Sequence, residues 1–280
     1  MAEPSKAVLI TGCSSGIGHA IAERLVAGGH RVYASARRPD AIADLAEKGC
    51  EILAIDVTDD DSMRAAVAAV EDAEGAVGVL VNNAGYGQSG AIEATPIDAV
   101  RRNFETNLLG YMRMAQLVLP GMRRQGSGRI VNMSSVAGRV TMPGSGPYSA
   151  TKFAIEAMSD ALRFEVRGFG VQVVIVEPGP IRSGFTGTAN ASMPGADGAY
   201  ADYHEAVAKA DAEADQSKLL AGDPDDVAKA VERAITARRP RTRYRVTVPA
   251  RLLPTMRRVL SDRTFDAFLR TQAPPPRPWQ

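Results

Sequence analysis

Short runs of consecutive apolar residues alternate along the chain with longer stretches in which apolar residues recur at helical spacing. Strands that are buried on both faces of a parallel sheet have such uninterrupted apolar runs. A steady alternation of these strands with helices predicts an α/β fold, a doubly wound parallel sheet of about seven strands with helices on both faces. The predicted strands are residues 7–11, 31–35, 51–55, 77–81, 129–133, 171–176 and 243–248, and the predicted helices include residues 18–27, 61–73, 100–124 and 149–167.

No change of composition marks a second domain, so we predict a single domain over residues 1–270. Residues 183–220 do not fit the alternation, because they are rich in glycine, alanine and aspartate and poor in large apolar residues. They predict an insertion, part loop and part helix, at the place where ligands enter such sheets. A new helix is predicted to begin at Asp223-Pro-Asp-Asp, since proline and acidic residues favour a first turn. Residues 271–280 form a proline-rich tail that we expect outside helix and sheet.

Composition and charge mainly exclude functions. Lysine and arginine total 33 and aspartate and glutamate 32 in the 280 residues, and the formal charge of +1 provides no overall field for nucleic acid. Two cysteines, Cys13 and Cys50, exclude a disulfide scaffold and are typical of a reducing compartment. The three histidines have no metal-binding spacing, so no metal site is expected. Without a signal peptide or an apolar stretch of roughly 18 residues, we expect a soluble, cytoplasmic protein.

The first predicted strand leads directly into a glycine-rich turn, Thr11-Gly-Cys-Ser-Ser-Gly-Ile-Gly18, which a helix follows. Glycines let the backbone approach a pyrophosphate closely, and the helix directs free N–H groups and its positive dipole end at that anion. The spacing is GxxxGxG rather than the common GxGxxG. A turn kept for packing alone is the alternative, but the preceding strand and following helix favour a dinucleotide site. The predicted cofactor contacts in this turn are Gly12, Ser14, Ser15, Gly16, Ile17 and Gly18.

The end of the second predicted strand indicates which dinucleotide is bound. An acidic residue there would accept hydrogen bonds from the ribose hydroxyls of NAD, whereas arginine accommodates the 2′-phosphate of NADP. This strand is followed by Arg37 and Arg38, with no acid before Asp40. A guanidinium binds phosphate through two parallel hydrogen bonds. We therefore predict NADP(H) over NAD(H), with Arg37 the first and Arg38 the second candidate contact; a solvated arginine pair is the alternative.

Tyr148 and Lys152 stand four residues apart on a predicted helix, so both can reach the same ligand. A tyrosine hydroxyl with a pKa of about 10 is a poor proton donor or acceptor at neutral pH. A neighbouring ammonium stabilises the phenolate and brings that pKa toward the working range. The pair alone is weak evidence. Ser135 after the fifth strand and Asn82-Asn-Ala-Gly85 after the fourth strengthen it, because they lie at the sheet edge where such folds bind ligands.

These motifs, in this order, resemble those of the short-chain dehydrogenase/reductase family, over nearly the whole chain. The resemblance includes the glycine turn, the Tyr148–Lys152 pair and Pro178-Gly-Pro-Ile-Arg-Ser183, and the glycine spacing is similar to that of the family's compact oxidoreductase branch. It implies a Rossmann-like fold and an enzyme that transfers hydride between a nicotinamide and an alcohol or carbonyl carbon. One departure is Ser183, where the family more often has threonine; the hydroxyl is kept.

The resemblance also implies roles for individual residues. Tyr148 would be the general acid/base, and Lys152 would hold the nicotinamide ribose and lower the pKa of Tyr148. Ser135 would hydrogen-bond the substrate oxygen, and Asn107 would anchor a water that relays protons. The further cofactor contacts that it implies are Asp56 and Val57 beside the adenine, Asn83, Ala84 and Gly85 along the cleft, and Pro178, Gly179, Ile181 and Ser183 around the nicotinamide.

A finer resemblance concerns the substrate. Residues 32–38, 53–59 and 243–253 are similar to those of the branch that contains 17β-hydroxysteroid and retinol dehydrogenases, which implies a lipophilic alcohol, ketone or aldehyde. The family resemblance also implies a homodimer or homotetramer, paired through the helices predicted at 100–124 and 149–167. The expected apolar contacts in that pairing are Leu108, Met112, Phe153 and Met158, and the expected walls of the substrate pocket are Tyr86, Val136, Met142 and Phe185.

Two other functions remain open at this point. An acyl-carrier ketoreductase would need a basic docking patch near the pocket mouth, for which Arg101, Arg102 and Arg139 are candidates. A non-catalytic NADP(H)-binding sensor would be favoured by a damaged catalytic set. Ser135, Tyr148 and Lys152 are all present, so the enzyme hypothesis is preferred.

Overall fold

Seven parallel strands form one sheet in the order β3-β2-β1-β4-β5-β6-β7. The computed structural model describes residues 3–194, 198–273 and 275–276. The predicted doubly wound parallel sheet is confirmed, and each predicted strand agrees with the structure to within about two residues at either end. The strands are β1 (Val8–Ile10), β2 (Val32–Ala36), β3 (Glu51–Ala54), β4 (Val79–Asn82), β5 (Gly128–Met133), β6 (Val171–Pro178) and β7 (Arg243–Val246).

Helices connect successive strands, as right-handed crossovers between parallel strands require. Short 3-10 turns lead into or out of several of them. The helices are α1 (Gly16–Ala27), α2 (Ala43–Glu47), α3 (Asp60–Glu74), α4 (Ile97–Phe104), α5 (Gly110–Gln125), α6 (Gly146–Val166), α7 (Phe185–Ala191), α8 (Ala201–Gln216), α9 (Pro224–Thr236), α10 (Val248–Val259) and α11 (Asp262–Gln272).

The side chains of β1 alternate between two hydrophobic cores. Val8 and Ile10 pack on the side of α1 and α9, and Leu9 packs on the side of α3 and α5. All three are fully buried. An uninterrupted apolar run therefore reflects a strand that is covered on both faces, as the sequence pattern indicates.

The strand order reverses direction between β1 and β4. After β1 the chain proceeds to β2 and β3 on one side, and then returns to β4 on the other side of β1. The loops at the carboxyl ends of these two strands diverge from this point and leave a crevice in which such folds bind ligands. The glycine turn after β1 and the Asn83 segment after β4 border this crevice.

The helix predicted over residues 100–124 is in fact two helices. Between α4 and α5 the backbone makes one wider π turn, Glu105–Leu109, in which the N–H of Gly110 donates to the carbonyl of Glu105. A Cβ at Gly110 would lie 2.9 Å from the Val57 side chain, so glycine allows α5 to approach the chain after β3. Turns of this kind are frequent at functional sites, and the apolar periodicity of the sequence does not reveal them.

The C-terminal part differs most from expectation. The last strand ends at Val246 rather than at 248, because Thr247 has a φ of 89° and caps the N-terminus of α10. Helices α10 and α11 were not predicted; in α10 the prolines Pro249 and Pro254 interrupt the helical pattern, whereas α11 contains no proline. The predicted insertion contains α7 and α8, and the expected helix start at Asp223 is confirmed. The predicted tail begins too early, because Thr271 and Gln272 belong to α11, and residues 274 and 277–280 lie outside the described residues.

Among the described helices, none combines the length and the apolar character needed to cross a membrane.

Candidate active site

A cleft of about 1130 Å³ opens at the carboxyl edge of the sheet. Its volume exceeds the roughly 300–1,000 Å³ of common ligand pockets, so a dinucleotide and a substrate can share it. Most of the residues predicted from the sequence line this one cleft. Those that do are Gly12, Ser14, Ser15, Gly16, Ile17, Gly18, Arg37, Asp56, Val57, Asn83, Ala84, Gly85, Ser135, Tyr148, Lys152, Pro178, Gly179, Ile181 and Ser183.

Hydrogen bonds from β4 fix the glycine turn. The Thr11 hydroxyl accepts from the backbone N–H groups of Asn83 and Ala84, at 3.0 and 3.1 Å. The Asn83 amide donates in return to the carbonyls of Thr11 and Gly12, both at 3.0 Å. Gly12 has a φ of 75°, and a Cβ there would lie 2.7 Å from the Ala84 Cα. Glycine is therefore required for the turn to pack this closely against β4.

The two arginines after β2 are placed differently. Both are exposed, but Arg37 lines the cleft, whereas Arg38 is not among the described residues that line it. On the same side of the cleft, the Asp56 carboxylate accepts hydrogen bonds from the Thr58 hydroxyl at 2.7 Å and from its N–H at 2.9 Å. Of the two candidate contacts for a 2′-phosphate, the cleft contains Arg37.

Helix α6 brings Tyr148 and Lys152 to the cleft on one face, as their spacing predicts. The Lys152 ammonium nitrogen lies 5.6 Å from the centre of the Tyr148 ring and donates a 2.8 Å hydrogen bond to the Met133 carbonyl. It also lies 5.5 Å from the ring of the fully buried Tyr111. The lysine is thus held between two aromatic rings at the end of β5.

Burial controls the protonation of this pair. Burial raises the pKa of Tyr148 to about 12, and a hydrogen bond with Ser135 acts in the opposite direction. Burial lowers the pKa of Lys152 to about 7, while the negative charge of Glu156 acts to raise it. Removal of the phenolate from water is therefore the largest effect on the pKa of Tyr148 in this structure, and the lowering expected from Lys152 stays a prediction. At neutral pH the tyrosine hydroxyl keeps its proton.

Ser135 lies where β5 ends and a 3-10 turn, Val136–Gly138, begins. Its hydroxyl oxygen accepts a hydrogen bond from the N–H of Ala137 at 3.1 Å and donates to the Pro178 carbonyl at 3.4 Å. These bonds connect the ends of β5 and β6 and direct the hydroxyl toward the Tyr148 side of the cleft. The hydroxyl is well placed to contact an oxygen that Tyr148 also contacts.

Asn107 lies in the π turn and is fully buried. Its amide oxygen accepts from the N–H of Tyr86 at 3.0 Å, and its amide nitrogen donates to the Tyr86 carbonyl at 2.9 Å. A further 3.3 Å contact joins it to the Thr151 hydroxyl on α6. The side chain thus connects the loop after β4 to the helix that carries Tyr148. It is not among the described residues that line the cleft.

Of the four residues expected to form the substrate pocket, Tyr86, Val136 and Phe185 line the cleft, but Met142 is not among the described residues that line it. The Phe185 and Tyr148 ring centroids are 5.5 Å apart. The arginines near the mouth of the cleft differ in their contacts. Arg101 pairs with Asp98 at 2.7 Å, Arg139 lies 3.7 Å from Glu156, Arg182 pairs with Asp223 at 2.8 Å, and Arg102 lines the cleft.

The sequence did not reveal two acidic residues of α8 that also line the cleft, Asp211 and Asp215. Burial, with a smaller effect of the neighbouring Asp215, raises the pKa of Asp211 to about 6. Glu105 and Thr106 of the π turn line it as well. The four-residue spacing predicts that both aspartates lie on one face of a helix, but only the structure shows that this face of α8 borders the cleft.

Cys13 lies inside the glycine turn but not in the cleft as far as the structure is described. It is fully buried, and burial raises the pKa of its thiol to about 12. These properties agree with its interpretation as a small packing residue rather than a reactive thiol.

Comparison with known proteins adds independent information. The family model described as short chain dehydrogenase matches residues 6–194. The chain is 35% identical over 268 residues to the NADPH-dependent 3-dehydrocapnine reductase of Ornithobacterium rhinotracheale, with 92% of this chain and 94% of that protein covered. It is 36% identical over 278 residues to estradiol 17-beta-dehydrogenase 1 of Rattus norvegicus, covering 95% and 80%. The crystal structure of a short-chain dehydrogenase from Streptomyces avermitilis is similar with a TM-score of 0.81 at 35% identity, covering 97% of each chain.

Proposed function

This chain belongs to the short-chain dehydrogenase/reductase family of NAD(P)-dependent oxidoreductases, and we propose that it is an NADP(H)-dependent enzyme that interconverts an alcohol and a ketone or aldehyde on a lipophilic substrate. One observation carries the proposal. Tyr148, Lys152 and Ser135 border the same cleft as the glycine turn, so a proton-transferring group and a dinucleotide site share one cavity.

The residues of the cleft fit a dinucleotide. The backbone of Gly12, Gly16 and Gly18 borders the cleft without side chains, at the N-terminus of α1, where N–H groups and the helix dipole favour a pyrophosphate. Asp56 and Val57 are assigned to the adenosine side, and Pro178, Gly179, Ile181 and Ser183 to the nicotinamide side. When bound, the nicotinamide supplies hydride to the substrate carbon or accepts it.

Tyr148 acts as the general acid in reduction and as the general base in oxidation. With a pKa of about 12, its hydroxyl is protonated at neutral pH and can donate to the substrate oxygen. Ser135 positions that oxygen by a hydrogen bond. Lys152, with a pKa of about 7, is partly protonated at neutral pH. Its positive charge stabilises the phenolate of Tyr148 as that phenolate forms. Asn107 holds the loop at Tyr86 and helix α6 together by hydrogen bonds. The water that is proposed to relay protons would lie beside it.

Arg37 supports the preference for NADP(H) over NAD(H). It lines the cleft after β2, the strand end at which the ribose 2′ position is recognised in such folds. Arg37 is the first residue after the strand, and the first acidic residue, Asp40, comes only after Pro39. The relative from Ornithobacterium rhinotracheale is named for its use of NADPH.

The lipophilic substrate is supported by the aromatic and aliphatic walls beside Tyr148, formed by Tyr86, Val136 and Phe185. The rat relative is named for estradiol, a largely apolar alcohol. An apolar pocket with a few polar groups at one end fits a hydrophobic molecule whose single reacting oxygen points to Tyr148 and Ser135.

The proposal includes a homodimer or homotetramer in the cytoplasm. Met112 on α5 and Phe153 on α6 are 39% and 44% exposed, in the helices expected to pair, whereas Leu108 and Met158 are half-buried. Neighbouring Leu109 adds to the exposed apolar area. Both cysteines are free thiols, as is usual in a reducing compartment.

A substrate panel tests the proposal. Consumption of NADPH and NADH is followed by near-ultraviolet absorbance with steroid, retinoid, aromatic and acyl-thioester carbonyls, and formation of the reduced cofactors with the corresponding alcohols. We expect turnover of apolar carbonyls or alcohols, faster with the phosphorylated cofactor. Faster turnover with NADH would contradict the Arg37 assignment, and selective turnover of acyl thioesters would favour a ketoreductase. Binding of NADPH without turnover of any substrate would favour a sensor.

A further inference from the structure

The formal charge of +1 conceals a strong separation of charge along the chain. Residues 1–217 contain 19 lysines and arginines against 26 aspartates and glutamates, whereas residues 218–273 contain 13 against 6. The two parts therefore have formal charges of −7 and +7. The positive part includes β7, which forms one edge of the sheet, and α10 and α11 beyond it. Positive charge is thus concentrated at one side of the fold.

Alongside β7 lies a groove of about 1310 Å³ that is separate from the catalytic cleft. Among the residues that line it are Arg233, Arg239, Arg241 and Arg251, all exposed. Within residues 3–194, 198–273 and 275–276, none of these four side chains has an acidic partner within ion-pair distance. Guanidinium groups that are not paired within the protein remain available for phosphate oxygens.

Helix α10 adds an apolar stripe beside this groove. Val248, Leu252 and Val259 lie within a narrow sector of the helix, since their spacings of four and seven residues return to nearly the same angle. They are 49%, 54% and 72% exposed, while Ala250 on the other side of the helix is fully buried. Arg251 and the exposed Arg258 flank the stripe seven residues apart. An outward apolar stripe next to arginines is typical of helices that lie on anionic membranes.

We propose that this basic face, defined by the groove arginines 233, 239, 241 and 251 together with Arg258 and the stripe of Val248, Leu252 and Val259, docks on an anionic lipid membrane. The arginines bind lipid phosphates, and the stripe enters the boundary between headgroups and acyl chains. Leu219 is 73% exposed and lines the same groove, which extends the apolar contact. The docking itself goes beyond the proposed function and does not depend on it, whereas delivery of a lipophilic substrate from the membrane rests on that function.

A second copy of the chain fits this face less well. In a two-fold dimer the same patch faces itself, which would bring unpaired arginines of one copy against those of the other. Such like-charge contacts are costly. An anionic membrane has negative phosphates for the arginines and an apolar layer beneath them for the stripe, so it complements both parts of the face.

The docking face is directly connected to the catalytic cleft. Thr247, the residue before α10, lines the groove, and its side chain packs so closely on Gly179 that a Cβ at Gly179 would clash with it. Gly179 itself lines the cleft. A membrane bound at this face would lie beside the site that takes a lipophilic substrate, so docking would deliver substrate from the lipid phase.

Vesicle co-sedimentation of the full chain tests the proposal. Vesicles of phosphatidylcholine alone are compared with vesicles that also contain phosphatidylglycerol, at ionic strengths of about 0.01 and 0.15 M, where the Debye length falls from about 30 to 8 Å. We expect binding to the anionic vesicles only, weakened by salt. The double substitution Arg251→Gln with Arg258→Gln should weaken binding about fivefold for each arginine removed. Leu252→Ser with Val259→Ser should also weaken it.

A matched control substitutes two arginines elsewhere, Arg64→Gln with Arg167→Gln, and should bind like the wild type. Turnover of a water-miscible carbonyl without vesicles measures the catalytic site separately, and the α10 variants should retain it. Equal binding to both vesicle types, absence of binding to either, or unchanged binding by the α10 variants would overturn the proposal. So would a smaller assembly of the α10 variants in sedimentation velocity, which would identify the face as a contact between copies.

Discussion

Lys152 donates a 2.8 Å hydrogen bond to the backbone carbonyl of Met133. This bond ties the second turn of α6 to the last residue of β5, and the same ammonium nitrogen lies 5.6 Å from the centre of the Tyr148 ring. The side chain is 4% exposed, so the ammonium exchanges water for one carbonyl and two aromatic rings. That exchange explains why burial brings the pKa of Lys152 down to about 7. Because this pKa is close to neutral pH, nearby charges decide what fraction of Lys152 is protonated.

Glu156, one turn after Lys152 on α6, is the neighbour that counteracts this burial. It is buried and paired with Arg243 at 2.9 Å. Because its negative charge raises the pKa of Lys152, Glu156→Gln should lower that pKa, and Lys152 should lose its proton at a lower pH. In the pH profile of kcat/KM, we expect the change in rate that accompanies loss of the lysine proton to occur at a lower pH in this variant. Steady-state rates across pH measure it.

Glu165→Gln, on the exposed side of the same helix, is the control for Glu156→Gln and should leave the profile unchanged. A displacement of that change in rate to higher pH in Glu156→Gln would show that the assigned electrostatic effect has the wrong sign.

Arg37→Ala should weaken binding of NADP(H) by about tenfold to a hundredfold and leave NAD(H) unaffected. A hydrogen bond to a charged group contributes about 1.5–3 kcal/mol, and only the phosphorylated cofactor would form it. Fluorescence titration of both cofactors measures the change. Arg38→Ala is the matched control and should have a smaller effect, since Arg38, equally exposed, is outside the described lining of the cleft. A larger loss in Arg38→Ala would reverse the assignment.

Gly18→Ala should destabilise the fold by about 1–3 kcal/mol, the usual range for overpacking. A Cβ at this position would overlap the Gly12 carbonyl and the Asn83 amide, which together hold the glycine turn against β4. Urea unfolding measures the free energy. Gly168→Ala, where a Cβ would have no neighbour within 4 Å, should change it little. Equal stability of the two variants would show that the turn tolerates a side chain.

Cys13 and Cys50 should not react with a thiol reagent in the folded protein. Both are buried, and burial raises the pKa values of their thiols to about 12 and about 11. The thiolate is the reactive form, so the raised pKa keeps each cysteine in the unreactive thiol form, and burial also keeps the reagent away from it. Titration with a chromogenic disulfide should detect no thiol in the native state and both after unfolding in urea. Rapid modification of the native protein would contradict the packing role of Cys13.

Local patterns predicted most of the fold. The run of Val8, Leu9 and Ile10 indicates a strand covered on both faces, and the structure places these residues in two cores. The chemistry at the strand ends was also visible, because parallel strands end at the same edge. Helix α10 was missed because its two prolines disrupt the pattern on which helix prediction depends.

Other features depend on contacts between distant segments. The pKa of Lys152 follows from its burial beneath Tyr111 and Met133, which no spacing of residues reveals. The π turn around Asn107 depends on how α5 packs against Val57 through Gly110. Asp211 and Asp215 line the cleft only because α8 crosses it. In each case the tertiary arrangement, rather than the local sequence, sets the property.

The most direct test of the central claim compares wild type with Tyr148→Phe in two assays, turnover of a responsive carbonyl and binding of NADPH. Removing the hydroxyl removes the proposed proton donor but little volume from the cleft. Since general acid–base catalysis contributes about a hundredfold to ten-thousandfold, kcat/KM should fall by that much while the dissociation constant of NADPH stays near that of the wild type. Turnover that persists at the wild-type rate in Tyr148→Phe would contradict the account.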